Sequence, residues 1–147
     1  MKKYFLIMTF AMGIATISMA QENKEAHKTV VPPTEAKTAF EKHFTGASKI
    51  KWEKEGTDYE ANFIQAGKEV SAVYDAKGNL KETEWEIKAP ELPAAALTWI
   101  NEHYKGKKLG EAAKIQKANG EVNYEAEIDG KDIVFDNNGK FLREEKD

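Results

Sequence analysis

The chain has 147 residues, with 22 basic against 25 acidic side chains and no cysteine. Lys and Glu are interspersed, as in Lys51-Trp52-Glu53-Lys54-Glu55, which excludes the basic stripe that proteins use to hold nucleic acid or anionic membrane. The missing cysteines exclude disulfides and thiolate metal sites, so packing has to hold the fold, with Trp52, Trp85 and Trp99 among the large rings available for burial.

Residues 1–20 have the layout of a cleavable secretory signal. Met1-Lys2-Lys3 is a short positive start, Tyr4 to Ile17 is apolar, and Ser18-Met19-Ala20 puts small residues one and three places before Gln21. A spanning helix needs about 20 apolar residues, so cleavage between Ala20 and Gln21 is expected, with no membrane span afterwards and a periplasmic or secreted product. The signal takes two of the basic residues and none of the acidic ones, leaving 20 against 25. Residues 21–30 are charged and lack periodicity, the pattern of a flexible leader. The remainder, 31–147, is one domain of two repeats, 31–88 and 89–147.

Val31-Pro32-Pro33 ends the leader. Proline suits the first turn of a helix, and Ala36, Ala39, Phe40, His43 and Phe44 fall at i, i+3, i+4, i+7 and i+8, so a helix is expected over 33–44, closed by Gly46. Four alternating segments follow at 49–55, 59–64, 69–74 and 80–87. Gly56-Thr57-Asp58, Ala66-Gly67 and Asp75-Ala76-Lys77-Gly78 separate them as turns, which describes an antiparallel meander.

The series then repeats. Pro93 matches Pro33, and Ala96, Trp99, Ile100, His103 and Tyr104 match the first helical stripe, with Gly106 in the place of Gly46. Tyr59-Glu60-Ala61 returns as Tyr124-Glu125-Ala126, and Tyr74-Asp75-Ala76-Lys77-Gly78 as Phe135-Asp136-Asn137-Asn138-Gly139. A second helix over 93–104 and strands at 109–117, 122–128, 132–135 and 141–145 are expected. The fold class is α+β: two tandem repeats, each a helix laid on a four-stranded antiparallel sheet in two layers. The opposite sheet face is then free to meet a partner.

Candidate sites are few. His43 and His103 stand at equivalent repeat positions in the last turns of the helices, where an imidazole complements the macrodipole, and neither has an acidic or histidine partner at ligand spacing. His27 falls in the leader. Asp75-x-x-Gly78 and Asp136-x-x-Gly139 are too short for a calcium loop and read as type I turns. Glu82, Glu84 and Glu86 alternate along one strand as a solvated face that discourages edge pairing. No nucleophile elbow, phosphate loop or His-Glu-x-x-His is present, so no catalytic residue, cofactor or metal is assigned. Trp52, Tyr59, Trp85 and Tyr124 are the binding candidates, because aromatic side chains on a rigid sheet anchor interfaces, although Trp52 and Tyr59 share the apolar parity of Ile50 and Phe63.

The ordered motifs resemble the PepSY-like, β-lactamase-inhibitor-like family of periplasmic proteins. They are Ala39-Phe40-x-x-x-Phe44 in the first helix, Lys51-Trp52-Glu53, Tyr59-Glu60-Ala61-x-Phe63, Tyr74-Asp75-x-x-Gly78 with Leu80, and Thr83-Glu84-x-Glu86-Ile87, within a pattern spanning 31–145. The resemblance implies a tandem two-layer fold like that of the β-lactamase inhibitor proteins, whose joined sheets form a concave surface that grips an enzyme. Those inhibitors are held by disulfides, this chain has no cysteine, and no inhibitory loop matches, so inhibition is not carried over. The expected function is a secreted, non-enzymatic module that recognises a protein, peptide or envelope component through its exposed sheet face. The alternative is an inhibitor or regulator of a periplasmic hydrolase or peptidase, and a third reading is a small metal-dependent hydrolase.

Overall fold

The computed structural model describes residues 29–146. The signal, its Ala20–Gln21 cleavage point and the leader as far as residue 28 lie outside the described residues. Helix α1 (Thr34–His43) is followed by β1 (Ser48–Glu55), β2 (Asp58–Gln65), β3 (Lys68–Tyr74) and β4 (Leu80–Ile87). A single 3₁₀ turn at Ala89–Glu91 leads to α2 (Ala94–His103), and then to β5 (Leu109–Lys117), β6 (Val122–Ile128), β7 (Lys131–Asp136) and β8 (Phe141–Lys146).

The helices begin where proline permits. Pro33 and Pro93 occupy the N-caps, their lack of an N–H costs nothing there, and their carbonyls accept from Lys37 N at 3.0 Å and Leu97 N at 3.1 Å. Each helix ends as Phe44 N and Tyr104 N bond back to Phe40 O and Ile100 O, after which Gly46 and Gly106 take positive φ of 83° and 76°. At ten residues neither helix is stable by itself, so its apolar stripe has to be buried.

All eight strands form one antiparallel sheet in the order β1 to β8. The two expected four-stranded sheets are therefore halves of one, joined where β4 pairs with β5 from Glu82↔Lys117 to Ile87↔Ala112. Opposed residues share a face, so the row Val70–Trp85–Lys114–Tyr124–Phe135 ties the faces of both halves together. Phe40 packs with Trp52, Ala61, Phe63, Val70, Ala72 and Tyr74, while Ile100 packs with Ala112, Ala126, Ile128, Ile133 and Phe135. Both helices thus lie on the same face. Ala36 and Ala61 in the first cluster and Ala96 and Ala126 in the second are fully buried, and such small side chains leave room for each helix over the sheet.

The Asp-x-x-Gly turns have a second duty. Asp75 Oδ1 accepts from Lys77 N and Asn79 N, and Asp136 Oδ1 accepts from Asn138 N and Lys140 N, all at 2.8–2.9 Å. Hydrogen bonds from Asn79 hold the Asp75 carboxyl below the usual carboxylate range. Each turn then runs beneath the first turn of its own helix. A Cβ on Gly78 would stand 2.6 Å from Glu35 O, and one on Gly139 2.7 Å from Ala96 N.

At one edge of the sheet, Val30 donates its N–H to Trp52 O at 3.0 Å and packs against the first core, so the last residue assigned to the leader is tied to β1. At the other edge β8 presents Arg143, Glu144 and Glu145, a charged edge that resists further pairing. Among the described residues no helix is long and apolar enough to cross a membrane.

Candidate binding face and its surroundings

Register decides which side chains a partner can meet. Leaving aside Lys146 at the end of β8, the strands carry Lys54, Lys68, Lys114 and Lys131 on the helix-bearing face but a single carboxylate, Glu144. The other face has no helix on it among the described residues. Leaving aside the Glu55–Asp58 hairpin end and the irregular register near Glu111, its strand positions hold eleven carboxylates and three cations, Lys51, Lys117 and Arg143. Whole-chain composition is nearly balanced, so this is a partition between the two faces.

One row crosses seven strands of the open face: Lys51, Asn62, Ser71, Glu84, Ile115, Asn123 and Asp136. In its middle Ser71, Glu84, Ile115 and Asn123 retain only 2–6% exposure, whereas Glu69 and Glu86 on the adjoining row and Glu127 one row further are half-buried. The expectation that Glu82, Glu84 and Glu86 form a uniformly solvated face is therefore corrected at Glu84. It sits between Ser71 and Ile115, short and apolar neighbours beside which its carboxylate lies low. At the margins, Lys117 reaches Glu121 at 2.7 Å and holds that carboxyl below its usual range, with help from Asn123 and Asn119, and Arg143 pairs with Glu145.

None of the four aromatic binding candidates projects from the open face. Trp52 is 8% exposed beneath Phe40, with ring centroids 5.5 Å apart, and belongs to the core. Tyr59 lies on the same face, half-buried, with Lys54 Nζ 3.6 Å from its ring centroid. Trp85 and Tyr124 are also half-buried on the helix-bearing face and flank Lys114 in one row. The physical reason is parity. Each is opposite, or two residues from, a position that faces a helix, and a strand cannot turn one side chain without turning all of them.

The histidines part company despite their equivalence. His43 Nδ1 is 3.0 Å from the hydroxyl of Tyr74, a residue with no exposed surface whose phenol burial pushes well above its ordinary pKa. In the second repeat Phe135 stands in the place of Tyr74, and His103 Nδ1 instead meets Trp99 O at 2.8 Å while its ring stacks on Trp99 at 4.0 Å. Trp99 in turn lies flat on Phe141 at 4.5 Å, 4° from parallel. The second repeat places its phenol at Tyr104, where the first has Phe44, and that hydroxyl donates to Glu144 Oε2 at 2.5 Å. Lys131 holds the other oxygen of Glu144 at 2.6 Å and, with Tyr104, keeps the carboxyl below its usual range. These contacts tie helix ends to strands. Among the described residues no three His, Asp or Glu side chains converge as a metal site.

A duplicated helix-plus-four-strand unit, fused into one eight-stranded sheet with both helices on one side, defines a β-lactamase-inhibitor-like architecture. The chain belongs to the β-lactamase-inhibitor-like, PepSY-like family, which matches it twice, over residues 19–82 and 57–143. A BLIP-like protein from Bacteroides fragilis is 31% identical, with 79% of this chain and 87% of that one covered and a TM-score of 0.62. A candidate periplasmic protein from Bacteroides eggerthii shares the fold at 16% identity and TM-score 0.73, covering 79% and 89% of the two chains. A DUF2874 family protein from Bacteroides uniformis does so at 17% and 0.71, covering 78% and 88%. No curated protein matches.

Proposed function

We propose that this chain is a periplasmic, non-enzymatic binding module that recognises a protein or peptide through the open face of its sheet. The observation that carries the reading is that both helices pack on one face of all eight strands, which leaves a rigid platform of alternating, charged side chains opposite them. The location is supported by the secretory layout of residues 1–20 and by the periplasmic description of the Bacteroides eggerthii protein. The histidines support a structural role, since the Nδ1 atom of each is engaged within its own repeat. A regulator or inhibitor of a periplasmic hydrolase or peptidase is the alternative, favoured by the BLIP-like relative at 31% identity.

A photo-crosslinking residue placed at Glu86 or Asn62 on the open face, or at Lys42 on α1, tests the reading in exporting cells. Adducts from the two sheet positions and none from the helix are expected. Equal crosslinking from Lys42, or none from the sheet, overturns it. Adding the purified protein to peptidase and β-lactamase assays separates the inhibitor reading from simple capture.

A further inference from the structure

The sheet does not share its charges evenly, and the division specifies the partner. Eleven carboxylates face three cations on the open side, against one carboxylate and four lysines on the strand positions of the helix-bearing side. The chain as a whole is close to balance at 25 acidic and 22 basic residues, so composition does not force this segregation. Outside buried Glu84 and Asp132, packing does not force it either, because half-buried or exposed strand positions accept Lys as readily as Glu. Like charges meet across strands as well, Glu53 directly opposing Glu60 and Asp132 standing between Glu127 and Glu145.

We infer that the open face docks a basic protein segment, one rich in Lys and Arg. This rests on the reading of the open face as a protein-binding surface and adds the partner's charge to it. The face spans eight strands at about 4.8 Å each, roughly 35 Å across, room for an extended segment of about ten residues. Glu69, Glu86 and Glu127 sit half-buried on three different strands, β3, β4 and β6, so a segment crossing the strands meets carboxylates repeatedly.

The test uses fluorescein-labelled peptides of alternating Lys and Ala, or of alternating Glu and Ala, titrated with the purified protein and read by fluorescence anisotropy. The Lys peptide should bind at low salt and weaken steeply as salt rises, and the Glu peptide should not bind. Changing Glu86→Lys and Glu127→Lys together should weaken Lys-peptide binding at least tenfold. The same charge change on the helices, Glu41→Lys with Glu102→Lys, should leave it within about twofold, circular dichroism confirming that both variants fold. Equal binding of the two peptides, or equal loss from the helix variant, overturns the inference. Displacement of the Lys peptide by calcium chloride at ionic strength matched with sodium chloride overturns it in favour of a cation site. Photo-crosslinking from the open face to a partner segment that is not basic overturns the charge assignment alone and leaves the binding reading standing.

Discussion

The hydroxyl of Tyr74 and Nδ1 of His43, thirty-one residues apart, meet at 3.0 Å and fasten the end of α1 to the end of β3. The second repeat has Phe135 at the corresponding place and uses no such bond, which makes the two copies a built-in comparison. Tyr74→Phe removes one hydrogen bond without changing ring packing and is expected to lower unfolding free energy by about 0.5–1.5 kcal/mol. Phe135→Tyr is expected to cost more, about 1–3 kcal/mol, because it buries a hydroxyl where His103 Nδ1 already meets Trp99 O. Urea unfolding of the two variants beside wild type measures the asymmetry, and equal losses would contradict the partnership assigned to Tyr74.

The same phenol makes stability depend on alkaline pH. Burial raises the folded pKa of Tyr74 above its ordinary value of 10.0. A raised folded pKa contributes stability that is whole below the unfolded value and is lost as pH rises toward the folded one. Wild type should therefore lose stability progressively above about pH 10, beyond the loss shown by Tyr74→Phe. Denaturant midpoints from pH 8 to pH 11.5 check this, and parallel curves for the two proteins would refute it.

Gly78 and Gly139 predict a sharper cost than other glycines in the same conformation. Gly46 has φ of 83° with nothing within 4 Å of the place a methyl group would take, so Gly46→Ala should cost only the left-handed penalty of about 1–2 kcal/mol. Gly78→Ala has the same φ and also drives a methyl to 2.6 Å from Glu35 O, adding about 1–3 kcal/mol as the turn and α1 are forced apart. Thermal melts of Gly46→Ala, Gly78→Ala and Gly139→Ala should rank the first well above the other two.

The helices, the eight strands and the Asp-x-x-Gly turns were legible in the sequence because duplication presents each signal twice. The ranges expected from Pro33 with Pro93 and Gly46 with Gly106, 33–44 and 93–104, end within one residue of the observed helices. Sheet continuity was not legible, since nothing in the alternation of Leu80–Ile87 distinguishes a strand that ends a sheet from one that pairs with β5. The site suffered from the same gap. Parity showed that Trp52 and Tyr59 share a face, but only the rows crossing β4 and β5 reveal that Trp85 and Tyr124 share it too, and that most strand carboxylates lie on the other. Charge segregation is a property of strand pairing, so linear composition, with Lys and Glu mixed, conceals it.

Phe141 at the start of β8 covers Trp99, so it should report on how the last strand is held. Phe141→Ala removes the flat partner 4.5 Å from the indole and admits water to that side. A red shift of Trp99 emission is expected, measured in a variant with Trp52 and Trp85 replaced by Phe. The companion change Glu144→Gln loosens the same strand through its bonds to Tyr104 and Lys131. Because Glu144 has a lowered folded pKa, its contribution is present above its ordinary value of 4.5 and is lost as pH falls through the folded value. The stability difference between wild type and Glu144→Gln should accordingly shrink below about pH 4.5. A difference that is constant down to pH 3 would mean that the carboxylate charge contributes nothing.

The seam between β4 and β5 is expected to make the two repeats unfold as one cooperative unit. Six residue pairs cross it, from Glu82↔Lys117 to Ile87↔Ala112, and Trp85 lies on it while Trp99 belongs to the second core. Fluorescence from Trp85 and from Trp99, each kept as the sole tryptophan, should give one coincident urea transition. Successive residues of a central strand direct their N–H groups alternately to the two neighbouring strands, so of Ala113→Pro and Lys114→Pro one must break a bond toward β4 and the other a bond toward β6. The proline that cuts the β4 bond should separate the transitions, because each half keeps its own helix and core while losing the ladder between them. The proline that cuts the β6 bond should instead shift the Trp99 transition down by disrupting the second half itself. If both variants still unfold in a single coincident step, coupling between the repeats runs through contacts other than the β4–β5 ladder.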